Sequence, residues 1–419
     1  MTPYHFTLVF LAALALSTAL RLWLDFRHLR HVRAHRDRVP DNFADRIDLA
    51  DHRKAADYTV AKLRLGLLEI AVDAIVLLAL TLGGGLALLD QAMRVWLGSG
   101  YLHGLALFAC VSLLGFVIGL PASLYRTFRI EARFGFNKLT WPLWFADLAK
   151  GAVLTVLIGG PLLLSVLWLM DVMGKYWWLY VWLVWLVTNL LVLFLYPTVI
   201  APLFNKFTPL ADASLKARIE ALLARCGFAS SGLFVMDGSK RSAHGNAYFT
   251  GFGRAKRIVF FDTLLDKLSA EEIEAVLAHE LGHFKHRHVI KRIALSTVLS
   301  LAFLWLLGQL IDQPWFFAGL GVGDGGTAIG LLLFSMVLPV FLFPLAPLTS
   351  GLSRKHEYEA DAYAAQQTAA GDLISALVKL YRDNAATLTP DPLHSLFHDS
   401  HPPASQRIAR LQTPGPAGT

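Results

Sequence analysis

Two histidines and a glutamate form the pattern H-E-x-x-H at His279, Glu280 and His283. Residues four apart on an α-helix lie on one face, so both imidazoles can bind a single metal ion. The intervening glutamate can then act as a general base toward a water on the open side of that metal. This spacing is the minimal apparatus of a zinc peptidase. A chance match on an amphipathic helix is the alternative, because the chain contains 15 histidines.

Two histidines leave a catalytic zinc ion one protein ligand short, so a third ligand is expected elsewhere. Glu357 is the best candidate, and His356 competes with it. Asp361 lies four residues after Glu357 on the same helical face. One of these carboxylates can bind zinc while the other holds a ligand imidazole in its productive tautomer. Glu359 falls on the opposite face and is expected to be solvated. The cofactor prediction is one Zn²⁺ per chain.

Polar residues outside these two motifs are further candidates. His401 lies in the histidine-rich run 391–403 and could donate a hydrogen bond to a tetrahedral oxyanion. Arg407 could hold a substrate carbonyl or carboxylate. The alternative for this run is a loop packed on the catalytic part, and a second metal site there has no carboxylate geometry to support it. Residues 244–251 predict a strand that either pairs with substrate backbone or belongs to the core. Residues 285–288 favour a basic collar where a helix enters the membrane.

The rest of the chain is too apolar for an ordinary soluble protein. Of its 419 residues, 55% are hydrophobic and 16% are charged, whereas a soluble domain carries about 25% charged residues. The apolar residues fall in long runs, which predicts a mainly α-helical integral membrane protein in contact with a lipid bilayer. The net charge of +7 lies in particular loops, so nucleic acid is not expected as a partner. Two cysteines give no disulfide framework.

Seven apolar runs are long enough to span about 30 Å of hydrocarbon; they lie at 6–24, 66–89, 101–125, 151–170, 177–203, 290–311 and 327–348. The loop 27–64 carries ten Lys and Arg, 126–150 carries five and 312–326 carries none. The positive-inside rule therefore predicts an external N-terminus and a cytosolic C-terminal region. Basic residues follow the first run rather than precede it, which predicts an uncleaved helix instead of a signal peptide.

These runs divide the chain into five parts. Residues 1–203 hold the first five spans with their cytosolic loops, and 290–348 hold the last two. Residues 204–289 form a cytosolic catalytic part with H-E-x-x-H, and 349–412 form a second one with the third ligand. Residues 413–419 are rich in Pro and Gly and predict a disordered tail.

The segment 204–289 is expected to combine helices and short strands. Its predicted elements are an amphipathic helix at 211–226 and strands at Leu233–Met236, Asn246–Phe252 and Arg257–Phe261. A capping box at Ser269 and Glu272 opens the metal helix, which we define as the helix that carries His279 and His283. No proline follows until Pro314, so the metal helix is expected to run directly into the sixth span.

Several separate motifs in one order resemble the type I CAAX prenyl protease family of integral-membrane zinc metallopeptidases. The resemblance covers nearly the whole chain, and it rests on the stretches Phe134-Gly-Phe-Asn137-Lys, Asn246-Ala-Tyr-Phe249 with Gly251-Phe252, Arg257 to Leu265, His279 to Lys285, Ser353 to Asp361, and Ser400-His-Pro-Pro403 with Arg407. This family removes the last three residues of prenylated proteins.

The resemblance implies seven transmembrane helices around a water-filled intramembrane chamber, with a cytosolic α+β, gluzincin-like zinc domain. It implies that His279, His283 and Glu357 are ligands and that Glu280 is the base; that Asn246, Ala247 and Tyr248 bind substrate backbone; and that His401 and Arg407 line the site. The chain lacks a lysine-rich C-terminal retrieval tail, and its Ala-, Leu- and Arg-rich composition suits a bacterial inner membrane. A prenylated substrate is therefore one option, beside membrane-protein processing or quality control. The competing class is a seven-span transporter or receptor with a structural zinc site.

Overall fold

The computed structural model describes residues 1–250, 257–323 and 325–413. Within these ranges the helices are α1 (Pro3–Ala34), α2 (Leu49–Leu80), α3 (Gly85–Leu97), α4 (Tyr101–Tyr125), α5 (Trp141–Leu154), α6 (Gly160–Val172), α7 (Trp177–Leu195), α8 (Ala201–Phe204), α9 (Ala213–Arg225), α10 (Asp262–Leu265), α11 (Ala270–Lys285), α12 (His288–Leu310), α13 (Pro314–Ala318), α14 (Thr327–Leu342), α15 (Ala346–Gln367), α16 (Ala370–Asp383), α17 (Pro392–His398) and α18 (Ala404–Gln412). The strands are β1 (Phe207–Pro209), β2 (Leu233–Met236), β3 (Ala247–Thr250) and β4 (Arg257–Phe261).

Long apolar helices form the membrane-spanning part. Among the described residues, six helical stretches are long and apolar enough to cross a bilayer: Pro3–Ala34, Tyr101–Glu131, Trp141–Val172, Gly174–Phe204, His288–Leu310 and Thr327–Gln367. The pair α2 and α3, bent by 53°, gives a seventh if it counts as one span. The predicted second span, 66–89, crosses this bend, because the chain turns at Gly84 in the left-handed region. The predicted mainly helical membrane fold is confirmed.

A cavity of about 1350 Å³ lies between α1, α2 and α4. Its lining is apolar over much of the surface, with charged side chains among which are Asp25, Glu69, Asp73 and Arg126. Ionisable groups among membrane helices are costly unless they face water or one another, and Arg126 pairs with Glu69 at 2.5 Å. This cavity stands in the membrane half, where the resemblance predicts a chamber.

A four-stranded sheet follows the membrane helices in the order β1-β2-β4-β3. The predicted strands at β2 and β4 are confirmed, and β2 runs parallel to β4 while the other pairs are antiparallel. The predicted third strand is observed as β3, and its last two residues, Gly251 and Phe252, lie outside the described residues. The short strand β1 was not predicted. Among the described strands, β3 lies at one edge of the sheet.

The metal helix corresponds to α11, and it begins as predicted. The Ser269 hydroxyl accepts a hydrogen bond from the Glu272 backbone N–H, and the Glu272 carboxylate accepts one from the Ser269 N–H. The prediction that this helix continues into the sixth span is wrong. Arg287 adopts φ 57°, which ends the helix and lets α12 begin in a new direction at His288.

The region after the last apolar helix is mainly helical, as predicted. Leu373 and Leu377 of α16 pack with Leu277 and Leu281 of α11 in a buried cluster that also includes Ile219 of α9. The helices of 349–412 are therefore folded against the metal helix rather than forming a separate body.

Candidate active site

Three side chains predicted to hold a metal converge between α11 and α15. His279 Nε2 and His283 Nε2 lie 3.3 Å apart. The Glu357 carboxylate faces both, with Oε2 3.4 Å from His279 Nε2 and Oε1 3.3 Å from His283 Nε2. The two imidazole planes are nearly perpendicular, at 86°. In-plane nitrogen lone pairs from rings at this angle can point toward a common position.

The chemistry of this group suits a divalent cation. Glu357 Oε2 is buried and has no hydrogen-bond partner among the described residues, although a histidine nitrogen lies close to it. Burial lowers the pKa of His279, but hydrogen bonds to Asp361 and Glu357 raise it overall, to about 9. The carboxylates therefore favour positive charge here, which a metal ion bound by two imidazole nitrogens and one carboxylate would supply.

A glycine allows the two helices to approach closely. Gly282 lies between the two histidines, and a β-carbon at this position would be 2.8 Å from the Ala360 Cα and 3.0 Å from the Ala360 oxygen. Real β-carbons essentially never come as close to another atom as the first of these distances. The glycine inside H-E-x-x-H thus brings Glu357, three residues before Ala360, up to both histidines.

Asp361 supports His279 from behind. Its Oδ1 lies 2.8 Å from His279 Nδ1, the nitrogen that faces away from Glu357. Arg407 of α18 donates two hydrogen bonds to Asp361, from Nε at 2.8 Å and Nη2 at 2.6 Å, and it is buried. The structure brings Asp361 and Arg407, both named from the sequence motifs, close to the histidines. Arg407 lies behind Asp361, with its Nη1 4.0 Å from Glu357 Oε2.

His283 also has a partner behind it, which the sequence did not predict. His283 Nδ1 lies 3.0 Å from His288 Nδ1, and His288 Nε2 lies 2.8 Å from Glu359 Oε2. His288 is fully buried, so the collar interpretation is wrong for this residue. The expectation that Glu359 is solvated holds only in part, because 30% of its side chain is exposed while its carboxylate faces His288 of α12.

Glu280 and His401 occupy different positions at the edge of the cluster. Glu280 directly follows His279 and is half-buried. It makes no hydrogen bond or ion pair within the described ranges, so its carboxylate is available to a water molecule or a substrate. His401 follows α17, and its Nε2 lies 3.5 Å from Glu357 Oε1 with the side chain 63% exposed. A half-buried glutamate and an exposed histidine next to the ligand cluster can exchange protons with a bound substrate.

The predicted substrate strand lies beside α11 through Phe249, whose ring is 5.1 Å from that of Phe284. The Asn246 carbonyl accepts a hydrogen bond from the Phe261 N–H at 3.0 Å. Antiparallel pairs alternate their bonding every second residue, so the N–H and C=O groups of Ala247 and Phe249 are directed to the open edge. Tyr248 packs against Phe261. No described contact joins Asn246, Ala247 or Tyr248 to the histidine cluster.

Two other groups of potential ligand atoms occur among the described residues: Asp25, His394 and His398, and His288, His356 and Glu359. Their histidine rings stack almost parallel, at 23° for His394 with His398 and 13° for His288 with His356. The in-plane nitrogen lone pairs of two stacked rings lie in separate parallel planes, so they do not converge on one ion. His356, the competing third ligand of the sequence stretch around Glu357, therefore packs on His288 and lies outside the ligand cluster.

Membrane-spanning helices joined to a histidine-histidine-glutamate cluster with an adjacent free glutamate define a multi-pass membrane metallopeptidase. The chain belongs to peptidase family M48. Residues 209–414 match the family described as "Peptidase family M48". Residues 28–206 match "CAAX prenyl protease N-terminal, five membrane helices".

Relatives similar to this chain come from several eukaryotes. A "CAAX prenyl protease 1 homolog" of Oryza sativa subsp. japonica is 40% identical over 314 residues, covering 74% of this chain and 73% of the relative. A mouse (Mus musculus) homolog of the same name is 33% identical over 452 residues, covering 96% and 95%. The crystal structure of S. mikatae Ste24p matches with a TM-score of 0.89 and 33% identity, covering 97% of this chain and 99% of that chain. This membership favours a metallopeptidase over the transporter or receptor alternative.

Proposed function

We propose that this protein is a zinc-dependent endopeptidase that cleaves membrane-associated protein substrates, with CAAX-type processing of prenylated C-termini as the leading activity. The observation that carries the proposal is the convergence of His279, His283 and Glu357 within 3.4 Å of one another. The names of the relatives support the substrate class. A processing or quality-control role on other membrane proteins is the second candidate.

The donor set supports zinc as the metal. Two imidazole nitrogens and one carboxylate are a frequent ligand set for catalytic zinc, which keeps one position open. Zinc bound here would lower the pKa of a water molecule to about 7 and polarise the substrate carbonyl. One ion per chain is expected, held by His279, His283 and Glu357.

The remaining steps belong to the protein. Glu280 takes the proton of the attacking water and delivers it to the leaving amine. His401 donates a hydrogen bond to the oxyanion that develops on the substrate carbonyl. Asp361 holds His279 in the tautomer that carries its proton on Nδ1. Arg407 keeps Asp361 ionised and in place, and its second amino group can reach a substrate carbonyl.

Substrate binding is assigned to the open edge of β3. A peptide in extended conformation would add a strand to this edge, along the stretch Asn246, Ala247 and Tyr248 that the sequence assigned to substrate binding. Its main-chain hydrogen bonds would go to the N–H and C=O groups of Ala247 and Phe249. Such binding recognises the main chain of the substrate rather than particular substrate side chains. It would place the scissile bond alongside α11, against which Phe249 already packs.

The five parts of the chain that the sequence distinguished remain our working division, with catalysis shared between 204–289 and 349–412. Loop charges support an external N-terminus and a cytosolic catalytic side. The composition supports a bacterial inner membrane as the location, although the similar relatives named above are eukaryotic.

The test uses the full chain purified in detergent, with a farnesylated C-a-a-X peptide and its unprenylated twin. We expect wild type and Glu280→Gln to retain about one zinc per chain, and Glu280→Gln to lose at least about 100-fold in cleavage rate. Glu274→Gln is the matched control, because Glu274 lies on the same helix but pairs with Arg218 and Arg225.

Three outcomes distinguish the possibilities. Faster cleavage of the farnesylated peptide supports CAAX-type processing. Equal cleavage of both peptides supports the broader processing role. Bound zinc without cleavage of either peptide or of unfolded membrane-protein fragments contradicts the proposed function.

A further inference from the structure

A second buried histidine contacts the metal cluster from outside it. His288 is the first residue of α12, and no part of its side chain is exposed. Its Nδ1 is 3.0 Å from His283 Nδ1 and its Nε2 is 2.8 Å from Glu359 Oε2. Both ring nitrogens are therefore within hydrogen-bonding distance of a partner, and a fully buried imidazole with two partners has a fixed orientation.

One assignment of protons satisfies this chain of contacts. His283 turns Nε2 toward Glu357 and His279, so its Nδ1 carries the hydrogen and donates. His288 Nδ1 then accepts, and the His288 hydrogen lies on Nε2, from which it is donated to the Glu359 carboxylate. These hydrogen positions follow from the partners, and the same chain fixes the plane of the His283 ring.

The backbone break after α11 makes the contact possible. In a continuous helix, residues five apart point about 140° away from each other, so the His288 ring would leave the side of His283. Arg287 in the left-handed region (φ 57°) turns the chain back instead. The ring then stacks on His356 with a centroid distance of 4.0 Å, which holds it against sideways movement.

A separate metal site made of His288, His356 and Glu359 is the competing explanation. It fits the geometry less well, because the two rings are almost parallel and both nitrogens of His288 already face protein atoms. A carboxylate that receives the hydrogen of an imidazole is instead the usual support of a metal-binding histidine. Here the imidazole of His288 lies between the ligand His283 and the supporting carboxylate of Glu359.

We propose that His288, held by Glu359, is a positioning residue for the active site: it orients His283 and keeps the proton of that ring on Nδ1. The inference rests on the proposed metal ligation by His283. Loss of such a support costs about 10- to 100-fold in metal affinity or activity. Glu359 is assigned to fixing His288 rather than to metal ligation.

The experiment compares three substitutions in the full-length detergent-purified protein. His288→Phe keeps the buried ring but removes the acceptor, whereas His288→Asn keeps an acceptor oxygen close to the position of Nδ1. Glu359→Gln keeps a neutral acceptor for His288. His286→Phe is the control, because His286 is an exposed histidine of the same turn without a described contact to His283. Its ring stacks on that of His288 at 5.5 Å, and phenylalanine keeps a ring at this position.

The readouts are zinc affinity by chelator competition and the visible absorption spectrum of the cobalt(II)-substituted protein, which reports ligand geometry. We expect His288→Phe to bind zinc about 10- to 100-fold more weakly with an altered cobalt spectrum. His288→Asn should recover most of the affinity, Glu359→Gln should fall between them, and His286→Phe should match wild type. Thermal unfolding of the metal-free variants separates lost ligation from lost folding.

The proposal is overturned if folded His288→Phe binds zinc and cobalt as wild type does, or if His288→Asn loses as much affinity as the phenylalanine variant. If His288→Phe does not fold, His288→Asn and Glu359→Gln decide instead. The proposal is then overturned if both variants have the cobalt spectrum of wild type and Glu359→Gln also binds zinc with unchanged affinity. Failure of the proposed function looks different, because the wild-type protein itself would then bind no zinc or bind it equally well after His279→Ala.

Discussion

The two metal-facing histidines of α11 are supported in different ways. Behind His279 stands a carboxylate, Asp361, at 2.8 Å, and Arg407 holds that carboxylate with two hydrogen bonds. Behind His283 stands a neutral imidazole, His288, and the carboxylate of Glu359 is one residue farther away. One support thus brings a full negative charge next to the ligand, and the other brings only an acceptor.

This difference has a chemical meaning. A carboxylate in direct contact makes an imidazole a stronger metal ligand than a neutral acceptor does, because it favours positive charge on the ring. A buried carboxylate must be neutralised, and Arg407 does so for Asp361. The His283 side avoids this cost by keeping Glu359 at 30% exposure. The His279 side should therefore contribute more to metal affinity and also be the more fragile of the two.

The largest expected effect comes from Asp361→Asn. The variant keeps the size of the side chain but removes the carboxylate that pairs with buried Arg407 at 2.6 Å, leaving only Glu357 at 4.0 Å. Breaking a buried pair costs about 3–5 kcal/mol of folding stability. Metal affinity should fall by at least about 10- to 100-fold. Chelator competition and thermal unfolding measure the two losses.

The double variant Asp361→Asn with Arg407→Gln is the matched control for Asp361→Asn. It removes the unpaired charge and should regain part of the stability but little of the affinity. A larger affinity loss for His288→Phe than for Asp361→Asn would reverse the order of the two supports.

Gly282→Ala should weaken zinc binding at the His279 side and at the His283 side together. A β-carbon here meets Ala360 backbone atoms at 2.8 and 3.0 Å, so α15 must move away from α11 together with Glu357. Overpacking of this kind costs up to about 3 kcal/mol. Gly371→Ala is the control, because Gly371 lies in α16 with nothing within 4 Å of an added β-carbon, and that change should be neutral or stabilising. Equal zinc affinity for the two alanine variants would contradict the argument.

Glu272 caps the start of α11, the helix that carries both His279 and His283. A change at Glu272 should therefore alter the stability of this helix and so affect both histidines equally. Burial raises the pKa of Glu272, but hydrogen bonds from Lys379, the Ser269 backbone and Ser375 lower it overall. A carboxyl with a lowered pKa stabilises the fold above the ordinary glutamate value of about 4.3, and this contribution is lost as the pH falls through the lower folded value.

Glu272→Gln should therefore cost about 1.5 kcal/mol at neutral pH and lose less stability than wild type on acidification. Unfolding in denaturant between pH 7 and pH 3 measures this. Glu220→Gln, which alters only a surface pair 3.9 Å from Lys216, should follow wild type. A Glu272→Gln profile parallel to that of wild type would show that this anchor does not depend on charge.

The smallest effect on stability is expected from a substitution at Arg287, whose turn lies only on the His283 side of the site. A non-glycine residue in the left-handed region costs about 1 kcal/mol, so Arg287→Gly should raise stability by up to that amount and leave zinc affinity unchanged. Arg287→Ala keeps the β-carbon and removes only the charge, so it should show no gain. Lower zinc affinity in Arg287→Gly would mean that the arginine side chain itself helps to hold the turn.

Much of this architecture could be predicted from local patterns. The H-E-x-x-H spacing, the capping box at Ser269 and the strands β2 and β4 each depend on residues close together in the chain, and the structure has them where the sequence indicated. The meeting of Glu357 with His279 and His283 also followed, because helical spacing and known metal chemistry restrict the choice of ligands.

The contacts behind His283 could not be predicted. A left-handed turn at Arg287 has no signature without a glycine or asparagine, and the apolar run after it continues the helical pattern of α11. Glu359 was correctly placed on the face of α15 opposite Glu357. The contact of Glu359 with His288 on this face depends on the tertiary approach of residues 71 positions apart, which periodicity does not encode.

The contact of Arg407 with the His279 side has a consequence for how the protein is made. Arg407 follows His279 by 128 residues, which takes a ribosome on the order of ten seconds at about 5–20 residues per second. During this interval α11 can already be in place while the arginine that neutralises Asp361 has not been synthesised. The buried pair of Asp361 and Arg407 can therefore form only after α18 has been synthesised, well after the two histidines of α11.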